Sequence, residues 1–163
     1  MIEGLIYASI ALFLIAIIAH YIVFYKDKKL NKMSFRETFD LTNLPIATFY
    51  NGKHKLNFLL DSGSDMCHIN SCLLDKLKTI PLEAKRNLTG IGNGSQECNL
   101  VNMDITYHGV HFECNFLAAD LTEPFNVLKK DTGVQLHGIL GCEFFERYKY
   151  ILDFKEMMFY SKK

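Results

Sequence analysis

The residues best placed to do chemistry are Asp61, Ser62 and Gly63, within the string Phe58-Leu59-Leu60-Asp61-Ser62-Gly63-Ser64. An apolar, strand-like run delivers an acid to its end, and the chain then turns through a small hydroxyl residue and a glycine. Such a turn puts a carboxylate on a tight loop, with backbone N–H and hydroxyl donors close enough to hold it. A bare Asp-Ser-Gly triplet arises often by chance, so its context decides its weight. A second set of reactive types comprises Cys67, His68 and Cys72, together with His108, His111 and Cys114. These are metal-ligand types, but their spacing fits no standard zinc pattern. On a strand, His111 and Cys114 also project to opposite faces. Buried thiols and surface imidazoles are therefore expected, with no metal and no cofactor.

The elements that must position Asp61 are legible around it. Ile46-Ala47-Thr48-Phe49-Tyr50 and Leu56-Asn57-Phe58-Leu59-Leu60 flank Asn51-Gly52. This predicts a hairpin with a type I′ turn, which needs positive φ at both turn residues. Residues 71–78 read as a short helix capped by Asn70 or Ser71 and stopped before Pro81. Alternation of Val110, Phe112, Cys114 and Phe116 with His111, Glu113 and Asn115 predicts a second hairpin over 103–117, turning near His108-Gly109. A second short helix is expected over 142–147 after Gly141, followed by closing strands at 150–154 and 157–160. The sum is a small, mainly β, barrel-like domain with two short helices.

Composition divides the chain in two. Of 163 residues 49% are hydrophobic, and the 18 basic and 18 acidic side chains cancel. Zero net charge gives no general attraction to nucleic acid. The apolar residues are concentrated: 21 of the first 25 are hydrophobic, against 43% of the remaining 138. Residues 4–25 carry no formal charge, and as a helix they would rise about 33 Å, enough to cross a bilayer core of roughly 30 Å. Residues 1–25 are therefore expected to form a single transmembrane helix, with Tyr7, Tyr21 and Tyr25 near its ends. No basic segment precedes the run and no small-x-small site follows it, which argues against a cleaved signal. Lys26, Lys28, Lys29, Lys32 and Arg36 follow the run and only Glu3 precedes it, so the domain is expected to face the cytoplasm. The five cysteines, an odd number without paired spacing, suit reduced thiols in that compartment better than a disulfide framework. Residues 26–43 read as a basic linker and 44–163 as the folded domain.

A later segment completes a recognisable order. Gly138-Ile139-Leu140-Gly141 leads into Cys142-Glu143-Phe144-Phe145-Glu146-Arg147 and then Tyr150-Ile151-Leu152-Asp153-Phe154. The succession strand, Asp-Ser-Gly, helix, glycine-rich segment, hairpin, Ile-Leu-Gly, helix, strand resembles the retropepsin family, the retroviral-type aspartic proteases, over residues 44–160. It looks closest to the single-domain, gag-like aspartyl proteases of cellular genomes. The resemblance implies a single-lobed acid-protease barrel with Asp61 as catalytic acid and base and Ser62, Gly63 and Ser64 shaping its loop. It further implies that Gly90, Ile91, Gly92, Asn93 and Gly94 form the flap over substrate. Ile139, Leu140 and Gly141 would support the floor of the site. Such enzymes need two carboxylates sharing one proton, because two like charges about 3 Å apart cannot both ionise. One chain supplies one Asp-Ser-Gly loop, so the resemblance implies a homodimer acting on polypeptide substrates.

Asp131-Thr132-Gly133 is a second Asp-Thr-Gly in the same chain. It follows Leu128-Lys129-Lys130 rather than a buried strand, and no second lobe fits before Gly138. It reads as a polar turn. A rival to catalysis is a retropepsin-fold binding or dimerisation module, favoured by the polar flap tip Asn93-Gly94-Ser95-Gln96 and the tethered N-terminus.

Overall fold

The structure is a computed structural model that describes residues 10–20, 32–89 and 95–161. It divides into an N-terminal unit, residues 1–32, and a second unit, residues 33–163.

In the first unit, residues 10–20 form helix α1, and Ile10, Leu12, Phe13, Leu14, Ile15, Ile17 and Ile18 are all exposed. The rest of the expected span over 4–25 lies outside the described residues. Among the described residues no helix is long and apolar enough to cross a membrane.

The second unit is mainly β. Its strands are β1 (Lys32–Ser34), β2 (Ile46–Asn51), β3 (His54–Leu60), β4 (Cys67–Asn70), β5 (Ile80–Thr89), β6 (Ser95–Tyr107), β7 (Val110–Ala119), β8 (Gly138–Leu140), β9 (Tyr150–Asp153) and β10 (Met158–Ser161). Helices α2 (Arg36–Thr42), α3 (Thr122–Thr132) and α4 (Cys142–Tyr148) and a 3₁₀ helix (Ser71–Lys76) connect them. The large sheet runs β2-β3-β8-β4-β7-β6-β5, and a further β2–β6 pairing, Tyr50 opposite Thr106, closes it into a barrel. A second sheet has the order β1-β10-β9.

Alternation along the strands fills the barrel. Phe49, Phe58, Phe112, Phe116 and Phe144 are all at most 2% exposed and share one apolar core with Leu60, Ile69, Met103, Ile105 and Leu140. Phe49 meets Phe58 and Phe112 edge-on, each at 5.8 Å between ring centres, an arrangement that ring quadrupoles favour.

Both hairpins form, with one change of turn. His108 and Gly109 have φ of 47° and 84°, so the β6–β7 turn places both central residues in the left-handed region. In the β2–β3 hairpin Asn51 pairs with His54, so the turn residues are Gly52 and Lys53, and Gly52 alone there has positive φ. Asn51 instead stays in β2 because its side chain is committed inward. It accepts from the Lys78 amide at 2.8 Å and donates to the carbonyls of Lys78 and Asp104 at 3.1 and 2.9 Å.

Three other expectations change. The stretch read as a linker over 26–43 contains β1 and α2, because Met33 and Phe35, each 1% exposed, belong to the core, and Phe35 and Phe39 pack on Phe154. The expected helix over 71–78 is a 3₁₀ helix ending at Lys76, its first turn capped by Asn70. The polar turn expected at 131–133 is the end of α3, and Gly133, with φ of 78°, caps it through a bond from its N–H to Lys129 O. Leu121, Phe125 and Leu128, at helical spacing, pack against Ile46, Leu59, Leu136 and Ile139, and Pro124 falls in the first turn, where its missing N–H costs nothing.

Candidate active site

Strand β3 is buried on alternate residues up to Leu60 and then releases Asp61, which is half-buried. The carboxylate bends back on its own turn, with Asp61 Oδ1 accepting from the Gly63 N–H at 2.8 Å and Asp61 O from the Ser64 N–H at 3.2 Å. A side chain at 63 would bring its Cβ to 3.1 Å from Asp61 Oδ1, so glycine lets the carboxylate lie against the turn. Ser62 is exposed at the tip and Ser64 is half-buried at its base.

The turn is anchored from below by β8 and the start of α4. Strand β8 runs parallel to β3, with Leu59 opposite Ile139 and Leu60 opposite Leu140, and the Asp61 N–H donates to Leu140 O at 3.0 Å. Beyond β8, the Cys142 N–H donates to Ser64 O at 2.8 Å and the Glu143 N–H to Asp65 O at 3.1 Å. The Cys142 thiol reaches Ser62 O at 3.1 Å. The fit leaves no space at the two glycines of this segment. A Cβ on Gly141 would lie 2.2 Å from Met66 O, and one on Gly138 would lie 2.3 Å from His68 O. Residues 61–64 and 139–141, predicted from sequence to share a site, are thus brought together by backbone hydrogen bonds and close packing.

The remaining predicted residues fall elsewhere. Strands β5 and β6 pair, with a shift of register between Pro81 and Lys85, as far as Thr89 opposite Ser95, and Gly90, Ile91, Gly92, Asn93 and Gly94 lie outside the described residues. Asp131 is exposed in the last turn of α3, away from any strand end. His111 is exposed and 2.9 Å from Asp104, while Cys114 is buried, as opposite faces require. Among the described residues no three His, Cys, Asp or Glu side chains are grouped to hold a metal ion. Burial pushes the Cys67 thiol up to about 12 and raises Cys114 further, so both are inert thiols.

Two residues of the site escaped sequence reasoning. His68 was expected at the surface and is buried, 5% exposed, because β4 lies inside the sheet between β7 and β8 and all four of its residues are covered. Its Nε2 lies 3.0 Å from Ser64 Oγ. Burial lowers its pKa, against a raising influence from the carboxylates of Asp65 and Asp61. The unbroken apolar or neutral run Met66-Cys67-His68-Ile69 was the available signal. Cys142, the second, is marked only by following the glycine that touches the loop.

No protein-family model matches the chain, and no curated protein matches it. Among solved structures it is similar to the EIAV protease complexed with the inhibitor HBY-793, at 24% identity and a TM-score of 0.44, over 64% of this chain and 86% of that one.

Proposed function

We propose that this chain is a membrane-anchored aspartic endopeptidase of the retropepsin type, in which a homodimer brings together two copies of Asp61. The observation that carries this reading is the Asp61-Ser62-Gly63 turn at the end of β3, tied by the Asp61 N–H to Leu140 of the Ile139-Leu140-Gly141 strand. Chemically, one protonated carboxyl would donate to the scissile carbonyl while the ionised partner takes a proton from the attacking water. The protein's part in this is to fix the carboxylate. The Gly63 N–H on Oδ1 orients it, and the bonds from Cys142 and Glu143 hold the turn to the body of the barrel. Ser62, exposed at the tip of the turn, is available to bond its counterpart across the dimer axis. Residues 90–94 would form the flap.

The membrane anchor rests on the uncharged run 4–25 and on the exposed apolar side chains of α1. Confinement to one plane would raise the effective concentration of protomers and favour substrates close to the bilayer. The lysines after the run favour a cytoplasmic domain.

Incubation of the full chain in detergent with a peptide library tests the reading. Wild type and Asp131→Asn are expected to cleave. Asp61→Asn is expected to lose at least about 10³-fold in rate while keeping its melting temperature. Cleavage that survives Asp61→Asn overturns the assignment, and a dimer that cleaves nothing supports a binding module instead.

A further inference from the structure

Ser64 is held from three sides. Its N–H donates to Asp61 O, its carbonyl accepts from the Cys142 N–H, and its hydroxyl lies 2.8 Å from Met66 O and 3.0 Å from His68 Nε2. The hydroxyl has a single hydrogen, and Met66 O can only accept. The hydroxyl therefore donates to Met66 O, and its oxygen accepts from His68 Nε2–H. This fixes the tautomer: the proton is on Nε2, and Nδ1 presents a bare lone pair. That lone pair is buried and has no hydrogen-bond partner among the described residues. An orphaned buried nitrogen on a 95%-covered ring, whose other nitrogen grips the base of the Asp61 turn, is costly to keep for packing alone.

We propose that His68 is a positioning residue for Asp61, a proton-sensitive brace that holds the turn through Ser64 only while its imidazole is neutral. The inference rests on the protease reading and goes beyond it by assigning a role to β4. A second proton can enter only at Nδ1, creating a buried N–H with no acceptor and a cation beneath the turn. The ring would have to shift to hydrate that N–H, releasing Ser64. The facing groups from the packed elements are these. The loop brings Asp61 and Asp65, whose charges favour the cation. Strands β7 and β8 bring Leu117 and Ile139, opposite His68 in register, which do not titrate. Helix α4 brings Glu143 to the Asp65 carbonyl, and β5 brings Arg86 to 3.5 Å from the Met66 sulfur. Burial outweighs the two carboxylates, so the ring stays neutral to lower pH than an ordinary histidine.

The test combines the pH dependence of cleavage with NMR on the full chain in detergent. In wild type the Gly63 and Ser64 amide signals are expected to titrate together with the His68 ring, and kcat to fall several-fold through the same step with KM within about twofold. His68→Leu should lower kcat about tenfold at neutral pH. His68→Gln retains a donor but cannot titrate, so it should recover most of kcat and lose the step. Should these variants not fold, Ser64→Ala cuts the same contact from the other side and must uncouple the amides from the His68 ring. Amides that ignore the titration of His68, or a kcat step that survives His68→Gln, overturn the proposal. Coupled amides in a chain that cleaves nothing would leave the brace standing and remove the protease reading instead.

Discussion

Replacing Gly141 by Ala adds one methyl group at the junction between β8 and the Asp61 turn. Its carbon would lie 2.2 Å from Met66 O and 2.7 Å from both Met66 C and Ser64 O, whereas ordinary contact begins at 3.4 Å. The obstruction is backbone, so no side chain can swing away, and the 64–66 segment must retreat by about 1.2 Å, the difference between 3.4 and 2.2 Å. That retreat stretches the Cys142 N–H to Ser64 O bond from 2.8 Å, and the Glu143 N–H to Asp65 O bond from 3.1 Å, past hydrogen-bonding distance. Overpacking of this kind costs roughly 1–3 kcal/mol and each lost backbone bond about 1 kcal/mol, so the expected destabilisation is about 3–5 kcal/mol. For a domain of about 130 residues that lowers Tm by roughly 10–20 °C. Gly109→Ala is the control: nothing lies within 4 Å of its added carbon, and only the φ of 84° penalises it, by about 1–2 kcal/mol. Differential scanning fluorimetry on both variants checks the order. A Gly141→Ala Tm equal to that of wild type, or no lower than that of Gly109→Ala, refutes the reasoning.

Asn51→Ala removes the three hydrogen bonds that join the β2–β3 turn to Lys78 and Asp104, leaving the backbone groups it satisfied there without that partner. A loss of about 2–4 kcal/mol in urea unfolding is expected. Brief alkylation followed by mass spectrometry should modify the exposed Cys72 and Cys142 and spare the buried Cys67, Cys98 and Cys114. Label on Cys67 in the folded chain would contradict its position. Burial lowers the pKa of both His68 and His137 in the folded state. The unfolded chain then binds more protons near the ordinary histidine value of about 6.5, so these two residues make stability rise with pH through that range. Their contribution is complete above it and is lost as the pH falls below it. The urea midpoint should therefore drop between pH 7.5 and 5, less steeply in His137→Gln; an equal drop in that variant removes His137 from the account.

What was legible in the sequence is what short-range chemistry determines. The β6–β7 turn follows from a residue tolerant of positive φ beside a glycine, and the strand ending in Asp61 follows from alternation and an Asp-Ser-Gly turn. The pairing of β3 with β8 was legible only by resemblance, since nothing local in Ile139-Leu140-Gly141 says which strand lies beside it. Helix α3 was missed although Leu121, Phe125 and Leu128 have helical spacing, because Asp131-Thr132-Gly133 reads locally as a polar turn. That signal was real but belonged to the helix end, where Gly133 caps α3. Met33 and Phe35 were hidden by the lysines around them, which say nothing about whether two apolar side chains nearby have a core to enter.

The manner in which Asp61 is held explains why the site was easier to read than its surroundings. The turn is fixed by main-chain bonds from residues 63, 64, 142 and 143 and by two glycines that admit no side chain. A backbone-built site demands particular residues only where a Cβ would intrude or a carboxylate must stand, and those are the positions that stand out in a single sequence. Side-chain braces behave differently. The ion pairs Lys85–Glu97 and Lys149–Glu146, and the His111–Asp104 contact, all lie more than half exposed, where solvent leaves them little to contribute. The buried contact between His68 and Ser64 is the contrast. Its ring is a histidine by sequence and a neutral, single-tautomer donor only because β7 and β8 enclose it, a property that emerges from the assembled sheet.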